Sequence, residues 1–278
     1  MTGRAAAQLE DVSFAALRRQ ALGAPLAPKI EAESAAMLGT PYKLGPMGEG
    51  PDGEYDRGPL EDEREVDCTT YVEQVLARAL APSAAGVPDV LRRIRYKDGV
   101  IRYENRNHFT EADWIPNNVA AGFLRDITRR IAGSRTKVAV KTVSKSAWYA
   151  AKTAAQLRGF DGETPVQREA RAARWRALGA GLPDETVALP YLPIEDLPAL
   201  LWRIPSGTVV NLVREPQAGK PTMISHQFFI VDGPSGKMVR HAAFGKDVRD
   251  VPALAYFKVY EGSSWPLLGL NLDEALAP

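Results

Sequence analysis

Val66-Asp-Cys-Thr-Thr-Tyr-Val-Glu-Gln-Val-Leu-Ala-Arg-Ala-Leu80 is the stretch from which the rest of the chain can be read. Val72, Val75, Leu76, Ala79 and Leu80 recur at i, i+3, i+4, i+7 and i+8, the spacing of one buried face of an α-helix. Asp67 stands where an N-cap belongs, Cys68 falls in the first turn, and Pro82 ends the segment. A thiol in a first helical turn lies against unpaired backbone N–H groups and the positive end of the macrodipole, and both favour the thiolate. The expectation is a reactive Cys68 with a depressed pKa. The competing reading is a buried, inert thiol, the common fate of a lone cysteine.

Cys68 is the single cysteine in 278 residues, beside three histidines, His108, His226 and His241. No internal disulfide and no cysteine-rich metal site can form. Nucleophilic or imidazole chemistry is therefore confined to these four side chains. With 35 basic against 34 acidic residues, the chain lacks the bulk positive field of a nucleic-acid binder, and none is expected as a partner. Its 45% apolar and 25% charged residues are ordinary globular usage. No apolar run approaches the roughly 18–20 residues of a membrane span. Met1–Leu9 lacks the apolar core of a signal peptide, so the expected location is cytoplasmic, or periplasmic or otherwise extracytoplasmic if an export signal has been removed.

Working outward, helices are expected over Gln8–Leu22 and Lys29–Leu38, the second stopped by Gly39 and Pro41. Gly45–Asp67 carries five Gly, three Pro and nine acidic against two basic residues, and reads as a long, mobile acidic loop walling a cleft or merely connecting. Leu91–Ile94 reads as a helix end, Val100–Tyr103 as a short strand and Asn105–Asn118 as a structured loop. Between Arg125 and Arg158 the balance reverses to nine basic residues against one acidic. Helices over Ser144–Leu157 and Val166–Leu178, the latter closed by Gly179 and Gly181, make this a basic helical insertion with a solvated face or a surface for an anionic polymer. Strands follow at Gly207–Val213, His226–Asp232 and Lys237–Phe244. Helices early and strands late imply an α+β fold, read as one domain over 1–278 with its core at about 30–124 and 195–265 and the helical insertion at about 125–190.

Gly233-Pro-Ser-Gly236 joins the last two strands as a hairpin. Pairing Asp232 with Lys237 puts Phe228 opposite His241 and leaves His226 and His241 as diagonal neighbours on one face, roughly 7–8 Å apart. A slip of one residue would send them to opposite faces. A thiol, a base and a group that orients the base are what nucleophilic acyl transfer requires. Cys68 would be the nucleophile, His226 the base and His241 the orienter. The competing use of these residues, with His108, is a zinc site, but their spacing matches no common zinc motif. Neither a metal nor a cofactor is expected.

Leu38-Gly-Thr-Pro-Tyr42 followed by Val66-Asp-Cys-Thr-Thr-Tyr-Val-Glu73 resembles the opening of an NlpC/P60-type, papain-like cell-wall hydrolase domain. The DUF1460 branch, the N-acetylmuramoyl-L-alanine amidase-like proteins, is the more specific likeness. It is carried by Asn107-His-Phe109, Asp113-Trp-Ile115, Ser206-Gly-Thr-Val-Val210, Ser225-His226 and His241-Ala242, over roughly 38–124 and 195–260. The resemblance implies a papain-like core and a triad of Cys68, His226 and His241 hydrolysing an amide in peptidoglycan fragments through a thioester. It also implies that Tyr42, Asp67, Asn107, His108 and Ser225 line the substrate cleft. Asp67 is equally readable as a plain N-cap, and His108 as a structural side chain in its own loop. A γ-D-glutamyl-diamino acid endopeptidase with the same triad, an acyltransferase and a non-catalytic wall-binding module are the rival readings. Gln227-Phe228-Phe229, the acidic loop and the basic segment depart from the family pattern.

Overall fold

The computed structural model describes residues 26–276, so the helix expected over Gln8–Leu22 lies outside the described residues. Helix α1 covers Ala27–Ala36, α2 Cys68–Leu80 and α3 Val87–Arg95. Helix α4 (Ile115–Ala120), strand β1 (Leu124–Asp126) and α5 (Thr128–Ala132) follow, then β2 (Lys137–Val143), α6 (Lys145–Ala150), α7 (Pro165–Ala177) and β3 (Glu185–Pro193). The last third holds α8 (Leu197–Leu200), β4 (Thr208–Arg214), β5 (Ile224–Gly233), β6 (Gly236–Ala242), β7 (Val248–Pro252), α9 (Ala253–Lys258) and β8 (Leu267–Ala275). The strands form one antiparallel sheet in the order β2-β3-β8-β4-β5-β6-β7, with β1 added to β8.

Both faces of that sheet are covered, which explains why β4 and β5 read as continuous apolar runs. Phe229 and Val231 face α2, where the Phe229 ring meets Tyr71 edge-on at 5.6 Å. Their neighbours Phe228 and Ile230 face α9, and Phe228 meets Tyr256 at 5.4 Å. Gln227-Phe228-Phe229 is thus a strand buried on both sides. Val72, Val75, Leu76 and Ala79 of α2 are fully buried, as their spacing requires. Each of the larger ones contributes about 1.5–3 kcal/mol by leaving water.

The acidic stretch is an ordered part of the fold. Met47 and Glu49 are buried, and two arginines from distant segments hold the chain down. Arg106 donates to Glu49, Asp56 and the Met47 carbonyl, and Arg158 donates to Asp56 and to the carbonyls of Gly45 and Met47. Close approach also accounts for a glycine here: a Cβ on Gly48 would sit 2.4 Å from Asp56 Oδ1. The acidic and basic stretches therefore meet, and part of the basic charge is satisfied internally rather than presented to solvent.

Residues 125–190 are not simply helical. Strands β2 and β3 pair along their lengths and extend the sheet. Lys137-Val-Ala-Val-Lys-Thr-Val143 alternates with period two, burying Ala139, Lys141 and Val143 while exposing Val138 and Val140, a strand pattern that the basic composition hides. Helix α7 stands where expected, with Thr164 as its N-cap, but α6 is only six residues long. Val100–Tyr103 forms no strand, and the loop expected at Asn105–Asn118 contains a wide helical turn at Thr110–Trp114 running into α4.

Candidate active site

Asp67 begins the site by fixing the start of α2. Its Oδ1 accepts from the Thr70 N–H and hydroxyl, both at 2.8 Å, while the Thr70 Oγ1 accepts from the Asp67 N–H at 2.9 Å. The reciprocal cap orients the first turn and leaves Cys68 half-buried at its head. The thiol lies 3.9 Å from Thr69 Oγ1 and within reach of the backbone N–H groups of Thr69 and Gln227.

The β5–β6 hairpin supplies the imidazoles. Asp232 pairs with Lys237 and Phe229 with Arg240, the register anticipated above. His226 and His241 consequently share a face, with Nε2 of the first 3.0 Å from Nδ1 of the second and the rings perpendicular at 5.2 Å. Tyr256 of α9 closes over His241 edge-on at 4.9 Å and shares a hydrogen bond with the Tyr260 hydroxyl at 2.9 Å.

Burial dominates the electrostatics. It pushes the Cys68 thiol up to about 11, assisted by the Asp67 carboxylate, against the N–H groups of Gln227 and Thr69 that favour the thiolate. The depressed thiol expected from helix position is not found, because desolvation outweighs the helix terminus. Burial holds His226 at about 3, with His241 adding to the effect. His241 lies at about 4 through burial and the Arg249 charge, partly offset by Asp247 and Asp250. At neutral pH the three groups rest uncharged.

Cys68, His226 and His241 open into one cleft of about 610 Å³, and Tyr42 and Ser225 also line it. Tyr42 is brought there by backbone bonds between Gly39–Tyr42 and the β6–β7 turn, and its ring meets Phe244 at 5.2 Å. Among the described residues no acidic side chain lines this cleft, whereas Arg214, Lys246 and Arg249 do. Arg214, Tyr256 and Tyr260 were not singled out from sequence. Their signals were an arginine closing an otherwise apolar strand and two tyrosines at i, i+4.

Asp67, Asn107 and His108 are not among the residues lining the cleft, contrary to expectation. The second Asp67 oxygen accepts from the Gly45 N–H at 2.9 Å, so both carboxylate oxygens are engaged, one by Thr70 and one by Gly45. Asn107 donates to the Ile94 carbonyl and accepts from Asn117. His108 is bound to the Tyr103 carbonyl at 2.8 Å and stacked among Tyr103 and Trp148, and burial holds its pKa well below the usual range. Among the described residues no group of three or more His, Cys, Asp or Glu side chains is arranged to hold a metal ion, and no helix is long and apolar enough to cross a membrane.

Fold and cleft together define a mixed helix–sheet protein in which a helix N-terminal thiol shares a cleft with a paired imidazole couple on an antiparallel sheet. The chain belongs to the N-acetylmuramoyl-L-alanine amidase-like (AmiA-like) family, whose model matches residues 32–262. A Legionella pneumophila protein of the DUF1460 family is similar in structure, with 32% identity, a TM-score of 0.85, and 91% of this chain and 90% of that one covered. Two crystal structures of an N-acetylmuramoyl-L-alanine amidase from Bacteroides uniformis are also similar. One shares 24% identity over 90% of this chain and 99% of that one, with a TM-score of 0.66. The other shares 25% over 89% and 98%, with a TM-score of 0.64. No curated protein matches the chain.

Proposed function

We propose that the chain is a cysteine hydrolase with a papain-like, NlpC/P60-type core that cleaves the N-acetylmuramoyl-L-alanine bond of peptidoglycan fragments. The observation that carries the reading is the 3.0 Å contact between His226 Nε2 and His241 Nδ1 in the cleft that also holds Cys68. With the Nε2–H of His226 donated to His241, the bare Nδ1 is the lone pair available to the thiol, and His241 carries its own proton on Nε2. Cys68 Sγ attacks the lactyl carbonyl as its proton passes to His226. Free N–H groups in the first turn of α2 receive the oxyanion. His226 then protonates the departing alanine nitrogen, leaving a thioester, and finally takes a proton from the attacking water and returns it to Sγ as the C–S bond breaks and the muramic acid carboxyl leaves.

The cleft's charge favours this bond over the endopeptidase alternative. An enzyme holding a free L-alanine amine needs an acid in its cleft, and Asp67 is committed to the cap and to Gly45. Incubation with defined muropeptides followed by mass spectrometry tests the proposal. Release of an intact peptide beginning at L-alanine, abolished in Cys68→Ala, is expected. Release of an L-Ala-D-Glu dipeptide, or undiminished turnover in Cys68→Ala, refutes it.

A further inference from the structure

We infer that Arg214 receives a carboxylate of the substrate's peptide stem, making the cleft selective for an anionic muropeptide; the inference rests on the muropeptide reading above. Arg214 is only 4% exposed, yet it lines the same cleft as Cys68 and His226. Its Nη2 donates to Ser263 Oγ at 2.9 Å, and that hydroxyl is held in turn by the Trp265 carbonyl at 3.1 Å. The guanidinium lies over the rings of Tyr260, at 4.9 Å, and Trp265, at 5.1 Å. Its Nε and Nη1 have no hydrogen-bond partner among the described residues, and no carboxylate pairs with it. A buried guanidinium without a counter-ion is uncommon, because desolvation of the charge is offset only by a partner. Here the aromatic clamp fixes the cation, and its unused Nε and Nη1 lie buried in the wall of a cleft that no acidic residue lines among the described residues. Lys246 and Arg249 line the same cleft and add positive charge to it, although Arg249 is shared with Asp247.

The substrate chemistry supplies the missing partner. In a muropeptide, L-alanine is followed by D-glutamate joined through its γ-carboxyl, so a free α-carboxylate lies one residue beyond the amide to be cut. The leaving peptide then extends toward Arg214, and the sugar occupies the opposite end of the cleft.

Calorimetric titration of Cys68→Ala with N-acetylmuramoyl-L-alanyl-D-glutamate and with its α-amide tests the assignment without requiring turnover. The acid is expected to bind about 10–100-fold more tightly than the amide, the range of a charge-assisted hydrogen bond. Adding Arg214→Gln should erase that preference by weakening the acid alone. Arg214→Lys should retain part of it and serves where the glutamine variant folds poorly. Equal affinity for acid and amide in Cys68→Ala, or a preference that survives both Arg214 variants, overturns the inference. An intact acid preference with no hydrolysis by the parent chain refutes the amidase reading alone. Hydrolysis without acid preference refutes the Arg214 site alone.

Discussion

Replacing Asp67 separates a structural carboxylate from a substrate contact. Asp67→Ala removes acceptors from the Thr70 N–H, the Thr70 hydroxyl and the Gly45 N–H, the last at 2.9 Å. Loss of an aspartate N-cap costs about 0.5–2 kcal/mol. The Gly45 N–H left unpaired adds about 1–3 kcal/mol. Allowing for overlap between neighbouring effects, the total is about 2–4 kcal/mol. At about 2–4 °C per kcal/mol for a domain of this size, the melting temperature should fall by about 4–16 °C. Asp67→Asn keeps an acceptor for Thr70 but turns an amide N–H toward the Gly45 N–H, so its loss should be smaller. The asparagine also deletes a negative charge that repels the Cys68 thiolate. Iodoacetamide should therefore alkylate Cys68 faster in Asp67→Asn than in the parent at the same alkaline pH. Circular-dichroism melting and alkylation rates measure the two effects. An unchanged melting temperature with abolished turnover in Asp67→Ala would place the carboxylate on the substrate and defeat the capping argument.

Four further outcomes follow from the structure. Burial holds His226 at about 3 and His241 at about 4, so both imidazole signals should remain neutral in NMR titration at pH 6 and move only in more acid solution. Since an unfolded histidine titrates near 6.5, their contribution to stability is complete above that pH and is lost as pH falls toward the folded values; protonation of both rings at pH 6 refutes the burial argument. The alkylation rate of Cys68 should keep rising toward pH 11, whereas a plateau reached by pH 7 would signal a resting thiolate–imidazolium pair. His241→Ala should lower kcat by at least about 10²-fold with little change in KM, and His241→Asn, which retains an acceptor for His226, should recover part of it. Arg158→Ala leaves Asp56 and the Gly45 and Met47 carbonyls without that donor, so protease cleavage within residues 45–62 should accelerate while Cys68 alkylation is unchanged.

What could be read from sequence was what local spacing encodes. The apolar period after Asp67 located α2, and the four-residue turn at Gly233–Gly236 fixed the register that joins His226 to His241. The acidic stretch looked mobile because its anchors, Arg106 and Arg158, stand about 50 and 100 residues away from Asp56. Strand β2 was hidden because Lys137 and Lys141 share their parity with the buried Ala139 and Val143 while the apolar Val138 and Val140 face out, so polar and apolar residues do not alternate. Asn107 and His108 carried a motif in the right order but are tied to Ile94 and Tyr103, and order along a chain does not say which way a side chain turns.

The thiol shows two physical effects of opposite sign meeting at one atom. A helix N-terminus stabilises a thiolate, yet its influence fades within a turn and depends on the charge being wanted there. Desolvation acts on the same sulfur whether or not a substrate is present, and Asp67 adds a second opposing contribution. On the proposed mechanism an anionic stem peptide entering the cleft would disfavour the thiolate further. Arg214 and Lys246 offset that effect, since they add positive charge to a cleft that no acid lines among the described residues. The same cations that select a carboxylate thereby keep its charge from raising the barrier to attack by Cys68.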